Sequence, residues 1–191
     1  MLIIAIPKSA STSLMRTLAS LYTKKGVQKM KGKRVKCKNY PLLGKYHSDI
    51  RDIESSDILN ERFVQKQHYP PTPHNRKILK NVKKIILLRS PLEVIEAYQR
   101  AHIKKLHKPK EEFSRCSTSE EWVHQAKEIG LYEEVKQFYE GWKEVSDSLT
   151  LTITYEELVD SPKSIFRKIA DFYHLPFKPK ATLSKARYSR S

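Results

Sequence analysis

The chain has 191 residues, 39% of them hydrophobic, which is enough for one domain with a single core. Its 37 Lys and Arg against 21 Asp and Glu give a formal net charge of +16, which favours polyanions and phosphate-bearing ligands without choosing among them. The two cysteines lie far apart and no apolar run reaches the ~20 residues of a membrane span, so we expect a soluble protein of a reducing compartment, in the cytoplasm, without a disulfide framework.

The first half of the chain begins with an apolar run and a helix. Residues 2–6 are continuously apolar, which is typical of a strand buried on both faces of a parallel sheet. Residues 11–24 follow with leucines at helical spacing. Residues 24–46 are lysine-rich and favour a loop, and the role of residues 24–60 is left open. A second strand is predicted over 63–67, ahead of an irregular, proline-rich stretch.

The middle of the chain carries the strongest strand signal. The run "KKIILLRSP" at 83–91 predicts a buried strand, and the proline at its end opens a predicted helix over 92–106. Residues 107–118 favour a loop. Residues 119–147 predict one or two helices with an aromatic and aliphatic core face.

The last third completes an alternation of strands and helices. Residues 149–155 alternate as a strand does, and the stretch "DSPKSIFRKIADFYHLPF" predicts a helix with one apolar stripe. The tail 176–191 is basic and shows no regular pattern. The alternation predicts an α/β fold of three layers around a mostly parallel sheet, in a single domain over 1–191.

One turn between a strand and a helix is suited to anions. The stretch "PKSASTSL" follows the first strand, where backbone N–H groups and the positive helix end converge. Ser11, Thr12 and Ser13 can add hydroxyl donors, and Lys8 can add a full positive charge. It is not a Walker A loop, because the lysine precedes the hydroxyls and no glycine is present. The residues alone leave an anion site and a plain hydroxyl-capped helix equally open.

Three segments, in order, carry a family resemblance. "PKSASTSL" resembles the 5′-phosphosulfate-binding loop of sulfotransferases that use 3′-phosphoadenosine 5′-phosphosulfate (PAPS). "LLRSPLEVIEAYQR" resembles that family's 3′-phosphate-binding strand and helix, and "TYEELVDSPKSIFRKIADFYHLPF" resembles its Tyr-Glu-Asp/Glu-Leu segment with the helix after it. The resemblance spans almost the whole chain. It implies a P-loop-like sulfotransferase fold, PAPS as co-substrate and no metal.

The resemblance also implies a catalytic set of His68, Lys8 and Lys66. "KQHYP" ends a predicted strand and is similar to the Lys-x-His-x-Pro segment of cytosolic members, in which the histidine is the base. A histidine that titrates near neutrality is suited to take a proton from an attacking hydroxyl. Lys8 and Lys66 can stabilise charge on the transferring group and the departing phosphate.

The residues that the resemblance implies for PAPS binding are spread over four segments. They are Lys8, Ser9, Ala10, Ser11, Thr12, Ser13, Arg89, Tyr155, Lys185 and Arg187. Arg89 follows four apolar residues, a position that a bidentate phosphate contact explains better than packing does. Two positions depart from the family pattern: Ala10 stands where glycine is usual, and Ala97 stands where a serine usually touches the 3′-phosphate.

We therefore expect a sulfotransferase that moves a sulfuryl group from PAPS to a hydroxyl or amine by in-line transfer. The alternatives are a non-catalytic basic domain that binds phosphate or a polyanion such as RNA, and a nucleotide kinase-like protein. A nucleic acid is the less favoured partner, because no RNP-like or helix-turn-helix signature is present. The expected acceptor is a small molecule or a glycan, with an anionic one among the possibilities.

Overall fold

The computed structural model describes residues 1–22, 35–36, 48–50, 64–103 and 111–184. The predicted alternation of strands and helices is confirmed within them. In chain order the elements are β1 (Leu2–Ala5), α1 (Ser11–Tyr22), β2 (Val35–Lys36), β3 (Ser48–Asp49), β4 (Gln65–Gln67), α2 (Pro73–Leu79), β5 (Lys84–Leu88), α3 (Pro91–Ile103), a 3-10 helix (Glu111–Phe113), α4 (Ser119–Glu128), α5 (Leu131–Lys143), β6 (Thr150–Thr154), α6 (Tyr155–Asp160) and α7 (Pro162–Phe172).

The strands β1, β4, β5 and β6 form one parallel sheet, in the order β4-β1-β5-β6. In its register Ile3 lies opposite Lys66 on one side and Ile85 on the other. β5 then pairs along its whole length with β6. β2 and β3 form a separate antiparallel pair. Because all strands of the main sheet point the same way, the loops that follow them meet at one edge.

Each face of this sheet is covered by helices, which gives the predicted three layers. Ile4 and Ile86 point to a core shared with α2, α3, α4 and α5, which includes the buried Trp142. Ile3 and Ile85 point to a second core shared with α1, α6 and α7. The uninterrupted apolar runs of β1 and β5 thus follow from burial on both faces.

The region 119–147 forms two helices, one of the two expected arrangements, because Gly130 adopts a left-handed backbone conformation with φ of 79° between them. Other elements differ from those expected from the sequence. α2 was not predicted, although Thr72 caps it and Pro73 opens it, both ordinary signals of a helix start. The sequence instead predicts an irregular stretch over 69–73, the last residue of which is the first of α2. A short 3-10 helix lies in the expected loop 107–118, and much of the lysine-rich 24–46 lies outside the described residues.

The helices that follow β1 and β5 lie on opposite faces of the sheet. α1, which follows β1, packs on one face of the sheet, whereas α3, which follows β5, packs on the other. Neighbouring strands whose helices leave to opposite faces open a crevice at their carboxyl ends, the usual ligand position in such sheets. Within the part of the chain that the structure describes, no helix is both long and apolar enough to span a membrane.

Candidate active site

Hydrogen bonds join the three loops that the sequence singled out. His68 contacts the carbonyl oxygen of Ala5 through its Nδ1 atom. The ammonium of Lys66 donates to Thr12 Oγ1 over 3.0 Å, and Arg89 Nη1 donates to the carbonyl oxygen of Lys8 over 2.5 Å. The ends of β4, β1 and β5 therefore bring their polar residues to one place, as the parallel topology requires.

The turn between β1 and α1 has an unusual backbone. Lys8 and Ala10 both lie in the left-handed region, with φ of 69° and 58°. Turns with residues in this region gather successive N–H groups into a concave surface that suits anions. The hydroxyl of Ser9 closes the turn from inside by donating to the carbonyl oxygen of Ile6 over 2.7 Å. The first turn of α1 holds no acidic residue, so its positive end is not neutralised there.

The hydroxyl residues of this turn differ in their exposure to solvent. Ser9, Ser11 and Ser13 are buried, whereas Thr12 is exposed and accepts the hydrogen bond from Lys66. Ser9 can therefore offer a ligand only its backbone N–H, because its hydroxyl is used within the turn. Thr12 is the hydroxyl best placed to meet a ligand from solvent.

Lys8 carries its charge into a partly buried position. Burial lowers the pKa of its ammonium from 10.5 to about 8. Its Nζ atom lies 5.5 Å from the ring centre of Tyr98 on α3. A desolvated cation binds an incoming anion more strongly than a hydrated one does, because fewer water contacts are lost. Tyr98 was not anticipated from the sequence, where nothing distinguishes it from an ordinary core tyrosine.

Hydrogen bonds from buried side chains hold the loop that carries His68. The indole Nε1 of Trp142 donates to the carbonyl oxygen of Tyr69 over 2.9 Å. The fully buried amide of Asn75 donates to the carbonyl oxygen of Pro70 over 2.8 Å and accepts from the backbone N–H of Ile50 over 2.8 Å. These bonds leave the loop little freedom, and His68 is thereby fixed at the crevice.

Arg89 is buried and has contacts on three sides. Its guanidinium stacks on the ring of Tyr155 with 3.7 Å between Cζ and the ring centre. Its Nε atom lies 3.7 Å from Oε2 of Glu93, which lies in the first turn of α3. Lys8 supplies the third contact through its carbonyl oxygen. Arg89 and Tyr155, predicted separately, thus belong to one cluster.

Two acidic residues of this cluster were missed. The pKa of Glu156 is raised, first by burial and then by the neighbouring carboxyl group of Glu93. The spacing of four residues between Arg89 and Glu93 is a sequence signal for an ion pair that could have found Glu93. Glu156 stands next to Tyr155, but nothing local in the sequence indicates that it meets α3.

The described part of the C-terminal tail returns to α1. The backbone N–H of Ser184 donates to Thr17 Oγ1 over 2.9 Å, and Ala181 is buried in the core beside that helix. Lys185 and Arg187 follow directly but lie outside the described residues. Among the residues that the structure describes, no group of three His, Cys, Asp or Glu side chains could hold a metal ion.

Comparison with protein families decides the relationship. The family described as the sulfotransferase domain matches residues 1–190. The chain belongs to the sulfotransferase domain family. A search of curated proteins gave no significant match.

The chain is also similar to solved structures. A retinol dehydratase in complex with androsterone and the inactive cofactor PAP has a TM-score of 0.56 at 17% identity, covering 94% of this sulfotransferase domain and 61% of that chain. A sulfotransferase domain from the curacin biosynthetic pathway has a TM-score of 0.48 at 17% identity, covering 93% of this chain and 74% of that chain. A sulfotransferase from Alicyclobacillus acidocaldarius has a TM-score of 0.47 at 16% identity, covering 100% of this chain and 85% of that chain.

Proposed function

We propose that this sulfotransferase domain moves a sulfuryl group from PAPS to a hydroxyl or amine acceptor, without a metal. The observation that carries the proposal is the convergence of a left-handed turn, two lysines, one histidine and one buried arginine at the carboxyl ends of three parallel strands. Cations and a base within one crevice are what in-line transfer between two oxygens needs.

The donor end of PAPS fits the turn between β1 and α1. When bound, PAPS supplies a sulfuryl group already activated by its bond to a phosphate. Residues 8–13 hold the phosphosulfate through backbone N–H groups, the exposed hydroxyl of Thr12 and the positive end of α1. Ser9 and Ser11 contribute mainly through their backbone, because their side chains are buried, whereas the backbone N–H of Ser13 already donates to the carbonyl oxygen of Ala10 over 2.9 Å.

Lys8 and Lys66 approach this turn from two sides. Lys8 lies within the turn, and Lys66 reaches it from β4 through Thr12. Both ammonium groups stabilise negative charge as it grows on the departing phosphate and on the sulfuryl oxygens. Fixed cations need no reorganisation during the reaction, which is the main source of their effect on the rate.

His68 takes the proton of the acceptor. A carbonyl oxygen can only accept a hydrogen bond, so the contact with Ala5 requires the proton of a neutral imidazole to sit on Nδ1. The Nε2 atom then carries the lone pair and acts as the base. The hydrogen bonds that hold the loop keep Nε2 oriented towards the acceptor side.

Arg89 and Tyr155 form the nucleotide end of the site. The buried guanidinium of Arg89 binds the 3′-phosphate, and the Tyr155 ring that stacks on it lies near the adenine. Lys185 and Arg187, the basic residues that follow Ser184 in the sequence, complete the proposed set of nucleotide-binding residues. The acceptor is a small molecule or a glycan, and the net charge of +16 favours an anionic one.

A direct binding comparison tests the proposal. The full chain is titrated with 3′-phosphoadenosine 5′-phosphate, ATP and a short RNA, each at low and at moderate salt. We expect the bisphosphate to bind best and a labelled sulfuryl group to pass from PAPS to a panel of phenols, alcohols and glycans. Strong, salt-sensitive RNA binding without preference for the bisphosphate would instead indicate a polyanion-binding domain.

A further inference from the structure

A glycine in the last turn of α5 lies against the proline-rich loop that follows His68. Glycine is among the least favourable residues within a helix, so its presence at position 141 calls for a reason in the packing. A Cβ atom on Gly141 would lie 2.5 Å from Cγ and 2.9 Å from Cβ of Pro71. Carbon atoms pack at about 3.5–4.0 Å, so a side chain fits there only if Pro71 moves away. The missing side chain is therefore what lets the loop lie directly on the helix.

The carbonyl group of Gly141 makes a second contact with the region beyond this loop. The last carbonyl groups of a helix lack partners within it, and the N–H of Val145 donates to Trp142 over 3.2 Å rather than to Gly141. Nη2 of Arg76, on α2, donates to the carbonyl oxygen of Gly141 and lies 3.5 Å from Oε2 of Glu144. The positive charge of Arg76 thus binds α2 to the negative end of α5.

The neighbouring residue of α5 holds the same loop. The indole of Trp142 donates to the carbonyl oxygen of Tyr69, the residue next to His68. Two consecutive residues of one helix, Gly141 and Trp142, therefore contact the chain within three residues of His68. Two consecutive prolines end this short segment, and proline fixes its own φ and restricts the residue before it. A displacement of Pro71 is consequently passed along the backbone towards His68 instead of being absorbed.

We infer that Gly141 is a positioning residue for His68, because its lack of a side chain lets Pro71 reach α5 and so sets where the imidazole lies in the crevice. The consequence for turnover rests on the proposed function, in which His68 is the base. Gly141 acts only through the loop and is not itself a catalytic residue.

The imidazole has a second fixed point in the sheet. Its Nδ1 atom contacts the carbonyl oxygen of Ala5, at the end of β1, so His68 is held between a strand and a helix. If Pro71 retreats by roughly 1 Å to admit a methyl group, the imidazole either follows the loop or loses the alignment of this contact. Hydrogen bonds weaken steeply with misalignment, and a displacement of about 1 Å can lower a catalysed rate ~10²-fold.

Pro71 is the group that opposes a side chain at position 141. A Cβ atom there would also lie 3.3 Å from Nη2 of Arg76, but that atom ends a flexible side chain that can shift by a few tenths of an ångström. The proline ring is bonded to the backbone at both N and Cα, so it moves only with the loop. The effect of a methyl group at position 141 should therefore depend on Pro71.

Gly141→Ala tests the inference by two independent readings on the full chain. The ring nitrogens of His68 are recorded by ¹⁵N NMR at about pH 8.5, where an imidazole is neutral, with His68→Asn identifying its signals among the seven histidines. We expect the Nδ1–H tautomer in the wild type and a shift towards mixed tautomers in Gly141→Ala. In the second reading, kcat for sulfuryl transfer from PAPS to an aliphatic alcohol should fall about 10–100-fold. The affinity for 3′-phosphoadenosine 5′-phosphate should stay as in the wild type.

A second-site variant and a matched control accompany this change. Pro71→Gly removes both carbon atoms that the methyl group would meet, so adding Gly141→Ala to it should cause no further loss of turnover. If Gly141→Ala alone fails to fold, this double variant should fold. Glu140→Ala, at the exposed position next to Gly141, should match the wild type in both readings.

The outcomes distinguish the inference from the proposed function. Unchanged His68 signals in folded Gly141→Ala overturn the inference, and so does an alanine effect of equal size with and without Pro71. A double variant that fails to fold where Gly141→Ala fails also overturns it. Shifted signals with undiminished turnover support the positioning by Gly141 and overturn the role of His68 as the base.

Discussion

The Nδ1 atom of His68 and the carbonyl oxygen of Ala5 are in hydrogen-bond contact across two adjacent strands. The carbonyl oxygen at the end of β1 thus determines the tautomer of His68, which directly follows β4. Because the sheet itself makes this bond, the free Nε2 atom has a defined direction whenever the sheet is folded.

His68→Asn tests whether this imidazole is the base. The asparagine amide can still donate to Ala5, so the loop should keep its position, but an amide cannot take a proton. We expect sulfuryl transfer to an aliphatic alcohol at neutral pH to fall by ~10²–10⁴-fold.

The control for this variant is a histidine away from the crevice. His124 is exposed on α4, and His124→Ala should transfer at the rate of the wild type. Binding of 3′-phosphoadenosine 5′-phosphate should survive in His68→Asn, since the base faces the acceptor. Undiminished turnover with the alcohol would remove His68 from the mechanism.

Lys8→Asn tests the partly buried ammonium. Asparagine adopts the left-handed backbone of this position readily, so charge is removed with little strain. With a pKa of about 8, Lys8 in the free protein loses its charge as the pH rises above that value, and a bound anion shifts the pKa upward. The affinity for adenosine 5′-phosphate should therefore fall by up to about tenfold per pH unit above pH 8.

The measurement is the dissociation constant between pH 7 and 9.5, where the phosphate stays a dianion. In Lys8→Asn the dissociation constant should be larger at pH 7, and it should change much less with pH. A pH dependence equal to that of the wild type would show that another group titrates in this range.

Sequence patterns predicted the four strands of the main sheet and most helices, because these depend on local periodicity, but not the short pair β2 and β3. Residues 83–91 are an example: their apolar run identified both the strand and the arginine at its end. The cluster around Arg89 was only partly predictable. Glu156 is brought near Glu93 by the pairing of β5 with β6, a relationship between distant parts of the chain that no local pattern encodes.

Ala10→Gly tests the strain in the phosphate turn. Ala10 has φ of 58°, where glycine carries no steric cost and other residues pay ~1–2 kcal/mol. Part of this gain is offset by the greater freedom of glycine in the unfolded chain. We expect a net increase in the free energy of unfolding of up to about 1 kcal/mol, measured by urea denaturation.

The same change within the helix supplies the contrast. Ala19 is buried in the middle of α1, and Ala19→Gly should lower the free energy of unfolding by about 1 kcal/mol. Opposite signs for the two variants would identify backbone conformation as the cause. Destabilisation by Ala10→Gly would contradict a strained turn.

Asn75→Ala tests the support of the His68 loop. Removal of the amide leaves the backbone N–H of Ile50 and the carbonyl oxygen of Pro70 without this buried partner. We expect a loss of ~2–4 kcal/mol in the free energy of unfolding and a lower turnover in what remains folded. Lys77→Ala, at an exposed position of the same helix, should change the stability by less than about 0.5 kcal/mol.

The central place of β1 in the sheet has a consequence for biosynthesis. During translation the strand Leu2–Ala5 is made well before its partners, which begin at Gln65 and Lys84. At ~5–20 residues per second, several seconds pass before both neighbours exist. Until then a fully apolar strand has two open edges, which are templates for pairing with other chains. The yield of native protein in a cell should therefore depend on chaperones that shield this strand of the nascent chain.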